Sequence, residues 1–310
     1  MGMNVSVIGF IGLGNMGMPM ALNLAKAGHE VRAYDISPER RLAATEAGLS
    51  VTDSVEATAD RVEVLISMLN TGPVVNEVWQ RAAIGMTRGG LMIDCSSINA
   101  ESSRAAHGIA QRYGMMSLDA PVSGGVEGAA AGTLTMMIGG TKAAFDAGYP
   151  ILQAVGRRHV HCGEAGAGVV AKICNNMILG ISMIAVSEAF ILAERLGLSA
   201  QALFDVASHA SGQCYALTTH CPVPGPVPTS AANFGYRPGF AAELMAKDLR
   251  LSQETAQFAQ TNTPLGAAAS SLFDHFVDSS GRQKDYAAII TYLRALGLGE
   301  EAGTREVQNA

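Results

Sequence analysis

Along the first half of the chain the apolar and polar positions alternate between two periods. Short apolar runs at 5–11, 30–34, 62–68, 91–94, 115–119, 134–138 and 157–161 predict strands, and segments with apolar residues three and four apart separate them. That alternation predicts βαβ units, hence an α/β domain with a mostly parallel, doubly wound sheet. Ser37-Pro38 and Thr141 mark helix starts by supplying an acceptor for unpaired amides, and Gly28 and Gly48 mark helix ends. After Gly163 the strand signals stop. The pattern then predicts helices over about 169–196, 200–210, 240–260, 264–278 and 285–295, with Thr263-Pro264 as another cap-plus-proline start. The expected organisation is an α/β domain over 1–163 and an all-helical domain over 164–310.

Two stretches depart from this rhythm. Residues 211–239 carry Pro222, Pro224, Pro226, Pro228 and Pro238 and predict a long irregular loop, which in a compact domain is usually functional or a linker. Residues 177–186 are nearly free of polar groups. Lys172, Asn175, Asn176, Glu188 and Glu194 interrupt the helix around them, so the expectation is a buried helix and no membrane span.

Composition narrows the function classes. The 310 residues are 48% hydrophobic and only 15% charged, which excludes a disordered chain. A net charge of −6 without any Lys/Arg block removes the electrostatic footprint that nucleic acid requires. Five cysteines without a CxxC pair argue against a disulfide framework and against a zinc site, so no metal is expected and a reducing compartment fits. Residues 1–4 show no basic or Arg/Ser-rich presequence, and the expected localisation is cytoplasmic.

The 35 glycines are an excess, and their placement carries chemistry. Gly12, Gly14 and Gly17 form G-x-G-x-x-G between a strand and a helix. Gly12 permits the tight turn, Gly14 lets backbone approach a pyrophosphate, and Gly17 lets helix and strand pack closely, with the phosphates at the helix N-terminus. Asp35, at the end of the second strand, can accept hydrogen bonds from a ribose 2′-hydroxyl and would repel a 2′-phosphate. The expected cofactor is NAD rather than NADP. Arg40 and Arg41 could meet a 2′-phosphate, although an exposed helical face accounts for them as well.

Ligands of open α/β sheets bind beyond the carboxyl ends of the strands. There the chain places Met68-Leu69-Asn70, Asp94-Cys95-Ser96-Ser97 and Asp119-Ala120-Pro121-Val122-Ser123-Gly124-Gly125. The first two groups could line the nicotinamide end or be ordinary turns. Ser123-Gly124-Gly125 could present several amides to a carboxylate or be a tight turn without a ligand. Lys172 and Asn176 share one helical face. Apolar neighbours and the positive helix end favour a neutral amine on Lys172, which suits proton exchange, while a snorkelling lysine at a domain junction is the plainer alternative. Lys247-Asp248 is a further charged pair among apolar residues, or part of a solvated face.

Taken together, these residues resemble the β-hydroxyacid dehydrogenase superfamily. The matching strings are Gly9 through Gly17 with Pro19-Met20, Asp119 through Val126, Gly166 through Asn176, and Leu244 through Leu249, in the family's order over about 3–295. The resemblance implies a Rossmann domain followed by a helical domain, NAD held by Gly12, Gly14, Asn15, Met16, Gly17, Asp35, Leu69, Asn70, Ser97 and Lys247, and a homodimer or homotetramer packed through the long helix. It implies Lys172 as the catalytic lysine, Asn176 as the substrate-orienting asparagine, Ser123, Gly124 and Gly125 as the carboxylate turn, and Lys247 at the cofactor and substrate end. Asn70 stands where close relatives usually have Pro, and Ser97 where they often have Thr. The proline-rich segment resembles the 3-hydroxyisobutyrate branch, which implies NAD-dependent oxidation of a small hydroxy acid in valine breakdown. Reduction of tartronate- or glyoxylate-type semialdehydes, and a non-catalytic nucleotide sensor or scaffold, are the alternatives.

Overall fold

The computed structural model describes residues 6–304, with side chains described through 297. The expected start of the first strand at Val5 lies outside the described residues. The chain divides into two compact units, Met1–Ile173 and Cys174–Ala310.

In the first unit the strands are β1 (Val7–Ile11), β2 (Glu30–Tyr34), β3 (Ser50–Val51), β4 (Val64–Ser67), β5 (Leu91–Asp94), β6 (Met116–Asp119), β7 (Val122–Ser123), β8 (Leu134–Gly139) and β9 (Gly156–Gly163). Between them lie α1 (Gly17–Lys26), α2 (Pro38–Glu46), α3 (Val55–Ala59), α4 (Gly72–Ala82), α5 (Ala100–Arg112), α6 (Gly125–Ala131) and α7 (Lys142–Leu152). The sheet order is β3-β2-β1-β4-β5-β6-β8-β7, with β9 paired to β8. All pairings are parallel except β6–β8 and β7–β8. The order reverses at β1, whose neighbours are β2 and β4, and a ligand crevice belongs at the carboxyl ends there.

β4 and β5 are buried at every residue because helices cover both faces. Val64, Ile66, Leu91 and Ile93 join one apolar layer with Met20 and Leu24 of α1, and Leu65 and Met92 join the other with Val75 and Trp79 of α4. Local signals set the helix ends. Ser37 accepts from Arg40 N at 3.2 Å and Thr141 from Ala144 N at 3.2 Å, while Gly28 and Gly48 take φ of +95° and +90° just past α1 and α2.

α8 (Ala167–Arg195) begins in the first unit and continues into the second, which adds α9 (Ala200–Ala207), α10 (Tyr215–Thr218), α11 (Ala242–Phe258), α12 (Pro264–Phe276) and α13 (Ile289–Thr304). Met183 and Phe190 of α8, Met245 and Leu249 of α11, and Phe273 and Phe276 of α12 form its core. Thr263 does not cap α12 as expected: its hydroxyl donates to Gln253 Oε1 at 3.2 Å. The stretch 211–239 is also more ordered than expected, holding α10 and a 3-10 turn at Ala231–Phe234.

α8 is less covered than its composition suggested. Its most apolar 18 residues have a mean hydropathy of 1.8, and only 39% of them are buried within the chain. Ile178, Leu192 and Leu196 are 63%, 62% and 78% exposed.

Candidate active site

The glycine loop between β1 and α1 has the local geometry its sequence demands. Gly12 sits at φ +98°, where a Cβ would lie 2.2 Å from the Met68 carbonyl oxygen, and a Cβ on Gly17 would lie 1.9 Å from that of Gly12. Gly14 differs: a Cβ there would meet no chain atom within 4 Å. The chain thus fills the space beside two glycines and leaves it open beside the third, as a pyrophosphate cradle requires. Met16 precedes α1 without a side-chain cap, so the first-turn amides keep their affinity for an anion. Asp35 is tied to this loop, accepting from Leu13 N on Oδ2 at 2.7 Å and from Ser37 N on Oδ1 at 2.9 Å. Arg40 and Arg41 do not form a plain solvated face. Arg40 Nη1 donates to Leu13 O at 3.1 Å, and Arg41 Nη1 to Asp35 O at 2.7 Å and Ile36 O at 3.1 Å. These residues fit NAD.

At the ends of β4 and β5 the apolar runs finish on Ser67 and Asp94, both buried. Asp94 Oδ1 accepts from Ser67 Oγ at 2.7 Å and Ser96 Oγ at 2.6 Å; Trp79 Nε1 donates to Ser67 Oγ at 2.9 Å and Leu69 N to Ser96 Oγ at 2.8 Å. Burial pushes the Asp94 carboxyl up to about 6, against the two serine hydroxyls that favour its charge. Leu69 and Ser97 are half-buried beside this network, and Asn70 is exposed. The sequence placed Asp94 and Ser96 only in a group that could line the nicotinamide end or be an ordinary turn, and it did not single out Ser67 or Trp79. A serine and an aspartate closing all-apolar strands were the available signal.

Asp119, the last residue of β6, fixes the start of α8. Its Oδ1 accepts from Gly166 N at 2.8 Å and His107 Nε2 at 2.9 Å, and its Oδ2 from Val169 N at 2.8 Å. Because the carboxylate only accepts, His107 donates from Nε2, and its Nδ1 is hydrogen-bonded with Ser117 Oγ at 2.7 Å. Gly168 packs flat between strands, where a Cβ would lie 2.2 Å from Met137 O and 2.7 Å from Asp119 O. Val169 and Ile173 are buried in the layer under α4 and α5, and half-buried Lys172 lies between them on α8. Ser123 ends β7, and Gly124 (φ +139°) and Gly125 (φ +66°) lead into α6 with no side-chain cap. Those backbone conformations favour glycine, and the turn offers amides to a carboxylate.

Within the second unit Asn176 is 2% exposed and donates from Nδ2 to Asp248 Oδ2 at 2.5 Å. Lys247 lies 3.7 Å from Asp248 Oδ1 and lines a cavity of about 470 Å³ with Glu243, Arg250 and Asp278. Asp248 therefore orients Asn176 and lies beside Lys247, and its hold on Asn176 was not revealed by its sequence context. The proline-rich segment is held from a distance by Asp285, which is fully buried: Gly239 N and Phe240 N donate to its Oδ2 at 3.0 Å each, and His220 Nε2 to its Oδ1 at 2.7 Å.

Comparison with known proteins gives the family of both parts of the chain. Residues 7–163 match the family model described as the NAD binding domain of 6-phosphogluconate dehydrogenase, and residues 166–293 match that described as NAD-binding of NADP-dependent 3-hydroxyisobutyrate dehydrogenase. A probable 3-hydroxyisobutyrate dehydrogenase of Mycobacterium tuberculosis is 45% identical, over 94% of this chain and 99% of its own. An NAD-dependent L-serine dehydrogenase of Pseudomonas aeruginosa is 39% identical over 91% of this chain and 96% of its own. The solved structure of Mycobacterium tuberculosis 3-hydroxyisobutyrate dehydrogenase with L-serine superposes with a TM-score of 0.92 at 44% identity, covering 94% of this chain and 100% of that one.

The Asp94 environment predicts a pH signature. A carboxyl raised from 3.8 to about 6 on folding binds its proton more tightly in the folded state, so its contribution to stability is complete below about pH 4 and is lost as pH rises through 6. Asp94→Asn removes that dependence. Denaturant unfolding from pH 4 to 7 should show wild type losing roughly 2–3 kcal/mol relative to the variant; parallel curves would rule out the raised carboxyl.

Proposed function

Because the chain belongs to the 3-hydroxyisobutyrate dehydrogenase branch of the β-hydroxyacid dehydrogenase family, a branch of NAD-dependent oxidoreductases, we propose that it oxidises 3-hydroxyisobutyrate to methylmalonate semialdehyde, a step of valine breakdown. When bound at the glycine loop, NAD supplies the hydride acceptor. Lys172 accepts the hydroxyl proton on Nζ during oxidation and returns it in the reverse direction. The Ser123-Gly124-Gly125 turn binds the substrate carboxylate through backbone amides, and Asn176, held by Asp248, orients the hydroxyl-bearing carbon.

The mounting of Lys172 carries this reading. The helix that bears it is anchored by a buried carboxylate one turn earlier, and Val169 and Ile173 seat that turn in an apolar layer. A general acid/base needs such fixed placement, and a snorkelling surface lysine does not. The same mounting speaks against a non-catalytic nucleotide sensor. The substrate choice rests on the proline-rich segment and on the relatives' names. L-serine, also a 3-hydroxy acid, is a second reading, favoured by the relative named for it and by the related structure solved with it.

We assign the exposed apolar stripe of Ile178 and Leu192 on α8, continued by Leu196 just past its end, to contact with a second copy of the chain, as a homodimer or homotetramer, and not to a membrane; Glu188, Glu194 and Arg195 on the same helix support that choice. All five cysteines are free, which supports a reducing, cytoplasmic location.

Lys172→Ala should lower kcat by about 10²-fold or more while calorimetry shows NAD binding retained; near-normal turnover would overturn the role of Lys172. In a steady-state panel, kcat/KM should be highest for 3-hydroxyisobutyrate, and a higher value for L-serine or for tartronate semialdehyde would reassign the substrate. Sedimentation should give a dimer or tetramer that Leu192→Glu dissociates; a wild-type monomer would remove the proposed contact.

A further inference from the structure

Hydrogen-bond polarity around the end of β5 is forced. The Trp79 indole and the Leu69 backbone amide can only donate, so Ser67 Oγ and Ser96 Oγ, which receive those protons, must both send their own to Asp94. Two chains of donors, one from α4 and one from the loop after β4, therefore end on one carboxyl oxygen. Asp94 Oδ2 is buried with no hydrogen-bond partner, so the residue acts through Oδ1 alone. The main chain around it is fixed as well, because Ala120 N donates to Asp94 O at 2.7 Å and the next residue, Cys95, donates from N to Ser67 O at 2.8 Å.

The segment held this way is the one assigned to the nicotinamide end of the cofactor. Leu69 N reaches Ser96 Oγ at 2.8 Å, and Ser96 lies next to Ser97. Without the serine hydroxyl the 68–70 turn would lose its tie to β5. We infer that Asp94 is a positioning residue for cofactor binding: through Ser96 it fixes the Leu69 backbone, and through Ser67 the end of β4, so that Leu69, Asn70 and Ser97 are set before NAD arrives. That role rests on the reading of those three residues as cofactor contacts. Asp94 itself touches neither cofactor nor substrate, and its effect falls on binding rather than on proton transfer.

The test uses the full-length protein and measures NAD affinity by calorimetry, exchange of the Leu69 amide by NMR, and steady-state constants. Ser96→Ala should raise the NAD Kd and the KM for NAD by about fivefold, leave kcat within about twofold, and speed exchange at Leu69 by about tenfold or more. Asp94→Asn should shift both in the same direction; should that variant fail to fold, Ser96→Ala decides, since it removes one hydroxyl. Faster Leu69 exchange with an unchanged NAD Kd would overturn the positioning role, and unchanged exchange would overturn the hydrogen-bond link. Asn70→Ala and Ser97→Ala separate the positioning role from the contact assignment beneath it. If they weaken NAD binding and Ser96→Ala does not, only the positioning role falls. If none of them weakens it, the cofactor contacts and the positioning role fall together.

Discussion

A helix that is to carry a reacting side chain, the role proposed for α8, has to be fixed at its start, and a single carboxylate does this. Asp119 accepts from the amides of Gly166 and Val169 and from His107, so three donors hold it while it satisfies two amides that the helix cannot satisfy itself. Hydrogen bonds to a charged group are worth about 1.5–3 kcal/mol each, and a buried carboxylate without them would be strongly unfavourable. Gly168 lets the first turn lie against the strands, and Val169 and Ile173 seat it in the apolar layer. The position of Lys172 follows from these contacts.

Asp119 is one instance of a wider arrangement. β4, β5 and β6 end on Ser67, Asp94 and Asp119, all buried at the same edge of a sheet whose interior is hydrocarbon. A polar group in that position must find partners, and it finds them in irregular backbone at that edge: Ser96, which in turn accepts from Leu69 N, for Asp94, and the start of α8 for Asp119. Parallel strands thus deliver their carboxyl ends to one edge, and buried acids at that edge hold the segments proposed to meet ligands. Asp35 does the same at the edge of β2 for the glycine loop. In the second unit Asp248 and Asp285 play comparable parts for Asn176 and for the proline-rich segment.

What could be read from the residues was what neighbours along the chain determine. The apolar runs, the Ser37 and Thr141 caps and the glycine loop each have local causes, and they appear where expected. β3 and β7, two residues each, are too short for any period to reveal, and they exist because β2 and β8 pair with them. Residues 211–239 looked irregular because the group that orders them, Asp285, lies some fifty residues on in the sequence. Lys172 and Asn176 could be named, but their supports could not: His107, Asp119 and Asp248 acquire their roles only when distant segments meet. Thr263 carries a cap-forming side chain that a tertiary partner, Gln253, takes instead. The exposure of α8 is a further case, since composition describes how apolar a helix is and not how much of it one chain covers.

Proton transfer at the proposed site depends on the Asp119 carboxylate placing Lys172. Asp119→Asn keeps the shape but sets an amide hydrogen against donors that need an acceptor, and it should be measured as folded protein for kcat and for NAD affinity together. If the carboxylate places the lysine, kcat falls by about tenfold or more with the NAD Kd within about twofold of wild type. An unchanged kcat would contradict it.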